Sequence, residues 1–204
     1  MTKDGLFITF EGLDGCGKTT QLELLEKYLK NEGKIVVITR EPGGIGLGQK
    51  LREILLNYDG EVSEKAESFL FLADRAQNIQ KIVLPAIQNG KIVLCDRHTD
   101  SSVAYQGYGR NLDINQINYL NNLATGGIEP NLTFVFDIDI ETSSNRVGNN
   151  KDRMEQAGVD FFNKVRFGYL ELAKKYPQRI KLINAVDSIE NIHKEVVSHI
   201  NKIL

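Results

Sequence analysis

Cysteine is scarce in this sequence, which contains only Cys16 and Cys95. Two cysteines are too few for the disulfide scaffold that a small secreted protein would use to stabilise its fold. Both residues lie in motifs that suit a reduced chain. We therefore expect free thiols and a cytoplasmic protein.

Long apolar runs and an excess of positive charge are also missing from the sequence. The longest apolar runs fall well short of the roughly 20 residues that a membrane-spanning helix needs. The formal net charge is -2 at pH 7, so the chain has no overall positive field to attract nucleic acid or an anionic membrane. We therefore expect neither a membrane nor a nucleic acid as a partner, and a local site must hold any phosphate that the protein binds.

The sequence has no internal repeat, no low-complexity tract and no linker that would divide it into domains. Its 204 residues, 41% of them hydrophobic and 25% charged, have the composition of an ordinary globular protein. This length can bury a substantial core but is short for two domains. We therefore predict a single domain over residues 1–204.

Short apolar runs alternate along the chain with amphipathic stretches. The predicted strands are 6–10, 35–39, 92–95, 132–136 and, more weakly, 180–183. The predicted helices are 19–30, 48–56, 64–85, 116–123, 159–175 and 188–204. Strands that are apolar on both faces and alternate with helices indicate an α/β protein, in which helices cover both faces of a parallel sheet. One polar and charged segment, 145–156, breaks the pattern and is predicted to be a mobile loop.

The segment GLDGCGKT at residues 12–19 matches the phosphate-binding pattern G-x-x-x-x-G-K-[ST]. It lies between a predicted strand and a predicted helix, where glycine-rich backbone and a helix N-terminus can bind phosphate oxygens. Lys18 is expected to reach the β- and γ-phosphates of a nucleotide, and the Thr19 hydroxyl is a candidate Mg²⁺ ligand. The predicted phosphate-binding residues are Gly12, Leu13, Asp14, Gly15, Cys16, Gly17, Lys18 and Thr19.

Asp96 and Arg97 come at the end of the third predicted strand. An acid at this end of a strand can orient Mg²⁺ through water, so Asp96 is the second candidate for a metal site. A neighbouring arginine has no such role in a regulatory GTPase. The guanine-binding pattern N-K-x-D is also missing, because residues 150–153 are Asn-Lys-Asp-Arg. The sequence therefore argues against a regulatory GTPase, and a kinase and an ATPase stay open at this point.

Several further segments resemble those of bacterial thymidylate kinases in their order and approximate spacing. They are FEGLDG at 10–15, TREPGG at 39–44, FLADR at 71–75, DRHTDSS at 96–102, AYQG at 104–107, PNLT at 130–133 and DRME at 152–155. The resemblance covers nearly the whole chain. It implies a P-loop NTPase fold of the nucleoside monophosphate kinase type, with a five-stranded parallel sheet flanked by helices and a short lid at about 145–156. It also implies a homodimer.

The resemblance further implies a reaction, in which the γ-phosphoryl group of ATP is transferred to dTMP to give dTDP and ADP. ATP would be the co-substrate in the phosphate-binding loop, Mg²⁺ would accompany it, and the product would supply dTTP for DNA synthesis. In-line transfer between two polyanions depends on positioning and charge neutralisation. An ionised phosphate acceptor has no evident need for a general base.

The dTMP-binding residues that the resemblance implies are Glu41, Arg52, Phe71, Arg75, Arg97, Ser102, Tyr105 and Gln106. Phe71 would stack on the thymine ring, and Arg75 would donate to a thymine carbonyl. Arg97 would clamp the acceptor phosphate, with Arg40 and Arg52 as helpers, because a guanidinium fork matches phosphate oxygens.

The remaining implied contacts concern the base, the phosphate and the sugar of dTMP. Ser102 and Gln106 match positions that contact the base and the phosphate. Tyr105 matches a ring that crowds the 2′ position and so favours deoxyribose. Glu41 precedes Pro42 in a turn where the family has a cis peptide, and it would lie near the acceptor sugar.

The catalytic residues that we expect are Lys18, Asp14, Arg97, Arg146 and Arg153. Asp14 would contact a Mg²⁺-bound water or the acceptor sugar. Some members of the resembled family supply a basic residue from the variable part of the phosphate loop, but here that part, LDGC, has no arginine. The resemblance therefore implies that the lid supplies the transition-state cation from Arg146, Lys151 or Arg153. Arg146 could instead stack on adenine, and Arg153 could pair with Glu155.

Alternatives stay open for single residues and for the function. Phe71 could pack in the core and Arg52 could lie on a solvated helix face. The chain could phosphorylate another nucleoside monophosphate or a deoxynucleoside, although Phe71, Arg75, Ser102 and Tyr105 favour thymine and deoxyribose. It could also be a non-enzymatic ATP-binding module. The presence of Lys18, Thr19, Asp96 and Arg97 argues against lost catalysis.

Overall fold

The structure, a computed structural model of the chain, describes residues 5–147 and 153–204. This part of the chain contains one parallel sheet of five strands in the order β2-β3-β1-β4-β5. The strands are β1 (Leu6–Gly12), β2 (Val36–Arg40), β3 (Ile92–Asp96), β4 (Leu132–Asp137) and β5 (Ile180–Asn184). The predicted fold class and the five predicted strands are confirmed.

The helices of the described residues lie between the strands and after β5. They are α1 (Lys18–Asn31), α2 (Gly46–Asn57), α3 (Glu64–Asn78), α4 (Leu84–Gln88), α5 (Thr99–Ser102), α6 (Ile114–Thr125), α7 (Ile140–Val147), α8 (Val159–Lys175) and α9 (Ile189–Ile200). Two π-helical segments, Ile79–Val83 and Val103–Gly109, continue α3 into α4 and extend α5. A short 3₁₀ turn at Glu155–Ala157 precedes α8.

The prediction of a mobile loop over 145–156 is wrong at its start, because residues 145–147 form the last turn of α7. Asp139 caps this helix, since its Oδ1 accepts a hydrogen bond of 2.8 Å from the backbone N–H of Thr142. The part of the predicted loop at 148–152, which includes Lys151, lies outside the described residues.

Two apolar clusters cover the two faces of the sheet. Ile8 and Phe10 of β1 belong to the larger cluster, whereas Phe7 belongs to a smaller one that includes Ile79 and Val83. Successive side chains of a strand point to opposite faces, so both faces of β1 are buried. Helices thus pack on both sides of the sheet, as predicted.

The strand register brings the candidate site together at one edge of the sheet. Asp96 at the end of β3 pairs with Phe10 of β1 on one side and with Arg40 of β2 on the other. The loop after β1 and the turn after β2 therefore leave the sheet beside Asp96. Ligands of open α/β sheets bind at this carboxyl edge.

Within residues 5–147 and 153–204, none of the helices is both long enough and apolar enough for a membrane span.

Candidate active site

The loop between β1 and α1 has the backbone conformation of a phosphate cradle. Gly12, Gly15 and Gly17 have positive φ angles of 134°, 74° and 92°, which glycine adopts without strain. A Cβ atom on Gly12 would lie 2.6 Å from the carbonyl oxygen of Phe136. Gly17 immediately precedes α1, so the loop directs backbone N–H groups and a helix N-terminus towards one space.

Lys18 lies folded against this loop and is buried. Its Nζ donates to the carbonyl oxygens of Leu13 at 2.8 Å and Gly12 at 3.1 Å, and it lies 3.9 Å from Asp14 Oδ1. The predicted loop residues are thus held in one compact turn with the ammonium group at its centre.

Asp14 links the phosphate loop to Arg97. Its Oδ1 accepts a hydrogen bond of 2.8 Å from Arg97 Nη2. Burial opposes ionisation of this carboxyl, but the charges of Arg97 and Lys18 outweigh it and lower the pKa of Asp14 to about 2. Asp14 is therefore a carboxylate, and it holds one edge of the Arg97 guanidinium.

Arg97 itself has an unusual backbone conformation, with φ at 70°. Its backbone N–H donates to the Phe10 carbonyl oxygen at 2.9 Å. Its Nη1 donates to Tyr169 Oη at 3.3 Å and to Ser101 Oγ at 3.4 Å, and its Cζ lies 5.0 Å from the centre of the Tyr105 ring. The guanidinium is therefore fixed on several sides.

A cavity that is partly open to solvent lies beside Arg97. Every residue that the sequence predicts for dTMP binding lines it: Glu41, Arg52, Phe71, Arg75, Arg97, Ser102, Tyr105 and Gln106. Asp14, Arg40 and Asp96 also line this cavity. The structure brings these residues together, and their individual roles stay predictions.

Arg75 is buried beneath this cavity and its guanidinium is largely engaged by the protein. Its Nε donates to Glu41 Oε2 at 2.8 Å, and its Nη1 donates to Ser102 Oγ at 2.9 Å and to Asn121 Oδ1 at 2.6 Å. Its Nη2 donates to the His98 carbonyl oxygen at 2.8 Å. A guanidinium has five N–H groups, so one N–H of Nη2 has no acceptor within the described part of the chain.

Glu41 is buried and accepts hydrogen bonds from Arg75 and from Asn78 Nδ2, the latter at 3.0 Å. Its Oε1 also lies 3.0 Å from His98 Nδ1. Burial opposes ionisation, but His98 and Arg75 outweigh it and lower the pKa of Glu41 to about 2. The peptide bond between Glu41 and Pro42 is cis, as the resemblance implies.

The turn after Glu41 is held from two sides. The backbone N–H of Gly43 donates to Asp74 Oδ1 at 3.0 Å. Arg52 Nη1 donates to the Pro42 carbonyl oxygen at 3.0 Å, so Arg52 faces the cavity from α2 instead of lying on a solvated helix face.

Gln106 and Arg153 meet at the buried carboxylate of Glu67. Gln106 Nε2 lies 3.2 Å from Glu67 Oε1, and Arg153 Nη2 lies 2.9 Å from Glu67 Oε2. Arg153 Nε also donates to the Leu55 carbonyl oxygen at 2.8 Å. Arg153 is thus tied to α2 and α3 at the wall of the cavity, where Met154 also contributes to the lining.

Arg146 lies on the other side, at the end of α7. Its Nη1 lies 3.3 Å from the carbonyl oxygens of both Gly15 and Ala185, and the residue is exposed. Of the two arginines predicted for the lid, Arg146 therefore adjoins the phosphate loop and Arg153 adjoins the cavity.

The candidate metal residues also lie together. Thr19 and Asp96 line a second hollow beside the phosphate loop, with Arg40 and Gly43. Asp96 Oδ1 is buried without a hydrogen-bond partner among the residues that the structure describes, and Oδ2 lies 3.4 Å from Arg40 Nη2. These residues form no cluster of three or more histidine, cysteine or acidic ligands. Mg²⁺ bound to phosphate needs only one or two protein oxygens, so a hydroxyl and an unpaired carboxylate oxygen fit it.

Several residues that support the site were not predicted from the sequence, among them Glu11, Asn78 and Tyr169. Glu11 is an acid inside a core strand, and this was a usable signal because such a residue needs buried partners. Tyr169 and Asn78 follow the core pattern of their helices, and nothing in the sequence reveals the partners of their polar atoms.

Comparisons with known proteins agree with this geometry. The family model described as thymidylate kinase matches residues 10–196. Thymidylate kinase of Thermoanaerobacter sp. (strain X514) is 44% identical over 201 residues, which are 98% of this chain and 99% of that protein. Thymidylate kinase of Pelotomaculum thermopropionicum is 46% identical over 204 residues, covering 98% and 94% of the two chains.

A solved structure gives the same result. The crystal structure of thymidylate kinase from Ehrlichia chaffeensis superposes with a TM-score of 0.80 at 36% sequence identity, over 97% of this chain and 99% of that chain. The fold, the phosphate loop and the similarity over nearly the full length therefore agree, and this chain belongs to the thymidylate kinase family.

Proposed function

We propose that this chain transfers the γ-phosphoryl group of ATP to dTMP, giving dTDP and ADP for dTTP supply. One observation carries the proposal beyond the family. Arg97 is bound to Asp14 of the phosphate loop by a hydrogen bond of 2.8 Å, and it also lines the cavity that contains Phe71. A single guanidinium thus joins the donor loop to the predicted acceptor cavity.

On the donor side, the loop N–H groups and Lys18 bind the triphosphate. The Lys18 ammonium now donates to loop carbonyl oxygens, and it exchanges these for the β- and γ-phosphate oxygens of ATP. Mg²⁺, when bound, supplies charge neutralisation at the phosphate oxygens, and Thr19 and Asp96 are the residues that would hold it.

On the acceptor side, Phe71 stacks on the thymine ring and Tyr105 closes the space at the sugar 2′ position. Arg97 holds the acceptor phosphate against the donor loop and neutralises the charge that builds up between the two phosphates. The acceptor is an ionised phosphate, so alignment and charge neutralisation account for catalysis without a general base.

The lid arginines have separate roles in this proposal. Arg146 adjoins Gly15 of the donor loop and is positioned to reach the transferred phosphoryl group or the adenine ring. Arg153 is bound to Glu67 at the cavity wall and closes the acceptor side. Loss of kcat in Arg146→Ala but not in Arg153→Ala would assign the transition-state cation to Arg146, and the reverse result would assign it to Arg153.

We also propose that the protein is a cytoplasmic homodimer. Its two cysteines are free and buried, which suits a reducing compartment. Three helices that pack side by side, α2, α3 and α6, carry exposed apolar side chains that a second copy of the chain could cover. The exposed side chains are Leu47, Ile54, Phe69, Tyr119 and Leu123.

A coupled assay of ADP release tests the proposed reaction. The purified chain is given ATP, Mg²⁺ and, in separate reactions, dTMP, dUMP, UMP, CMP, AMP or GMP. We expect strong turnover with dTMP and weaker turnover with dUMP. Phe71→Ala should raise KM for dTMP by about tenfold or more, because one base–aromatic stack contributes about this much to binding. Phe167→Ala, which alters an exposed phenylalanine of α8, is the matched control.

The other outcomes of this assay separate the alternatives. Turnover with a different monophosphate would overturn the acceptor assignment but not the phosphate-loop chemistry. A folded protein that binds ATP but phosphorylates none of these nucleotides would be a binding module.

A further inference from the structure

Glu11 is an acidic residue in the interior of β1 with none of its surface exposed, and burial together with the nearby Asp100 raises its pKa. A carboxylate loses its hydration when it is buried, so it must be compensated by hydrogen bonds or charges. The hydrogen-bond partners of Glu11 are the backbone of His98, which follows Arg97 in the chain, and the hydroxyls of Ser101 and Tyr169, which contact the Arg97 side chain.

The first carboxylate oxygen holds the backbone next to Arg97. Glu11 Oε1 accepts a hydrogen bond of 2.7 Å from the backbone N–H of His98. The N–H of Arg97 itself donates to the Phe10 carbonyl oxygen at 2.9 Å. Two adjacent residues of β1 thus hold the chain on both sides of the Arg97 Cα. Its left-handed conformation is unfavourable for a residue other than glycine and persists only where the surroundings enforce it.

The second carboxylate oxygen holds the two hydroxyl groups that contact the Arg97 side chain. Glu11 Oε2 accepts hydrogen bonds from Ser101 Oγ and from Tyr169 Oη, the latter at 3.0 Å. Arg97 Nη1 donates to the same two hydroxyl oxygens. When ionised, the Glu11 carboxylate can only accept, so both hydroxyls can direct their protons to it and their oxygens towards the guanidinium, although the two hydroxyl oxygens also lie 2.9 Å from each other.

We propose that Glu11 is a positioning residue for phosphoryl transfer, which acts by fixing both the backbone and the guanidinium of Arg97. This inference rests on the proposed role of Arg97 at the acceptor phosphate. Glu11 does not line the cavity and acts through Arg97, Ser101 and Tyr169.

The test is a double-mutant cycle on kcat for dTMP. Glu11→Gln keeps the size of the side chain and an acceptor for the His98 N–H, but its NH₂ group donates to the two hydroxyls and reverses their hydrogen bonds. A small displacement of an aligned group can cost about 100-fold in rate. We expect kcat to fall about tenfold to 100-fold, with KM for ATP nearly unchanged.

The same substitution in an Arg97→Ala background separates positioning from a general structural effect. If Glu11 acts through Arg97, the second substitution should lower kcat by less than about threefold, since effects within one network are not additive. An equal fold decrease in both backgrounds, or no decrease in the wild-type background, would overturn the inference. Glu26→Gln removes a carboxylate paired with Lys30 on the surface of α1 and is the matched control.

Tyr169→Phe keeps the cycle usable if Glu11→Gln does not fold. It removes one of the two hydroxyls and retains the ring in the core, so kcat should fall by about threefold to tenfold, and the loss of one buried hydrogen bond should lower the melting temperature by only a few degrees. This decrease should also disappear in the Arg97→Ala background. A wild-type protein that phosphorylates dTMP while both cycles are additive would refute only the role of Glu11. A wild-type protein with no turnover would refute the proposed reaction and the role of Glu11 together.

Discussion

Glu41 and Arg75 form a buried ion pair beneath the candidate acceptor cavity, with Glu41 Oε2 2.8 Å from Arg75 Nε. Removing one partner of such a pair leaves the other charge buried and uncompensated. Glu41→Gln should therefore lower the free energy of unfolding by about 3 kcal/mol or more, as measured by urea denaturation at pH 7. Glu171→Gln, which breaks a surface pair with Lys174, should change it little.

The same pair gives an expected pH dependence. The pKa of Glu41 is lowered to about 2 in the folded protein, so its contribution to stability is complete above its ordinary pKa of 4.5. That contribution is lost as the pH falls from 4.5 towards 2. The stability difference between wild type and Glu41→Gln should shrink over this range, and a difference that grew on acidification would contradict the assignment.

Asp74 is a second buried acid, and its pKa is shifted in the opposite direction. Burial raises the pKa of Asp74 from 3.8 to about 6, and its Oδ2 has no partner in the described residues. The folded state therefore holds this proton more tightly than the unfolded state, so stability falls as the pH rises through this range. A tenfold change in proton affinity is worth about 1.4 kcal/mol.

Asp74→Asn removes this titration and keeps an acceptor for the Gly43 N–H. We expect the variant to gain about 2–3 kcal/mol relative to the wild type between pH 4 and pH 8. Chemical denaturation of both proteins at several pH values measures the difference. A difference that did not vary with pH would show that Asp74 has an ordinary pKa.

At the residue scale, the sequence predicted the residues that line the cavity better than the residues that hold them in place. The predicted dTMP residues came from segments that resemble a family, and all of them line one cavity. Glu11 and Tyr169 were missed because their importance depends on partners that are distant in sequence. Tyr169 reaches Glu11 across 158 positions of the chain, and no local pattern contains that information.

At the scale of elements, α8 packs closely against the π-helical segment Val103–Gly109. A Cβ atom on Gly168 of α8 would lie 2.7 Å from Tyr108 Cδ2. Gly168→Ala should therefore destabilise the protein by about 1–3 kcal/mol. The gain of about 1 kcal/mol in helix propensity is too small to offset this in full.

The control for this prediction shortens Tyr108, the side chain that faces Gly168. In a Tyr108→Ala background the ring atoms are gone and only the Cβ atom of residue 108 stays close, at 3.1 Å, so Gly168→Ala should be much less destabilising than in the wild type. Urea unfolding of the four proteins of this cycle measures both effects. Equal destabilisation in the two backgrounds would show that the cost arises elsewhere in α8.

The long amphipathic helices were predicted well, whereas the short elements at the site were not. Helix α8 was predicted with its observed bounds, because seventeen residues give a clear helical period. The helical region from α5 through Val103–Gly109 was missed because it is short and mostly buried, so it shows no polar face. Helix α7 was missed because its polar residues resemble those of a loop.

At the scale of the whole molecule, the direction of the strands was predictable but their order was not. Continuous apolar strands separated by helices require parallel neighbours. Several orders satisfy right-handed crossovers, however, and strand hydrophobicity does not choose among them. Because β1 lies between β3 and β4, the phosphate loop that follows β1 lies between Asp96, at the end of β3, and α7, which follows β4.

The apolar side chains on α2, α3 and α6 give the prediction that concerns the assembled protein. Phe69 is 57% exposed, Tyr119 69% and Leu123 68%, and a stable interface needs about 800 Å² from each partner. We expect sedimentation velocity to show a dimer at micromolar concentration. Phe69→Lys together with Tyr119→Lys should produce a folded monomer, because each lysine would have to be desolvated in the interface. Phe167→Lys, on α8, should remain dimeric. A wild-type protein that is monomeric, or a monomer produced by Phe167→Lys alone, would show that the proposed interface on α2, α3 and α6 is wrong.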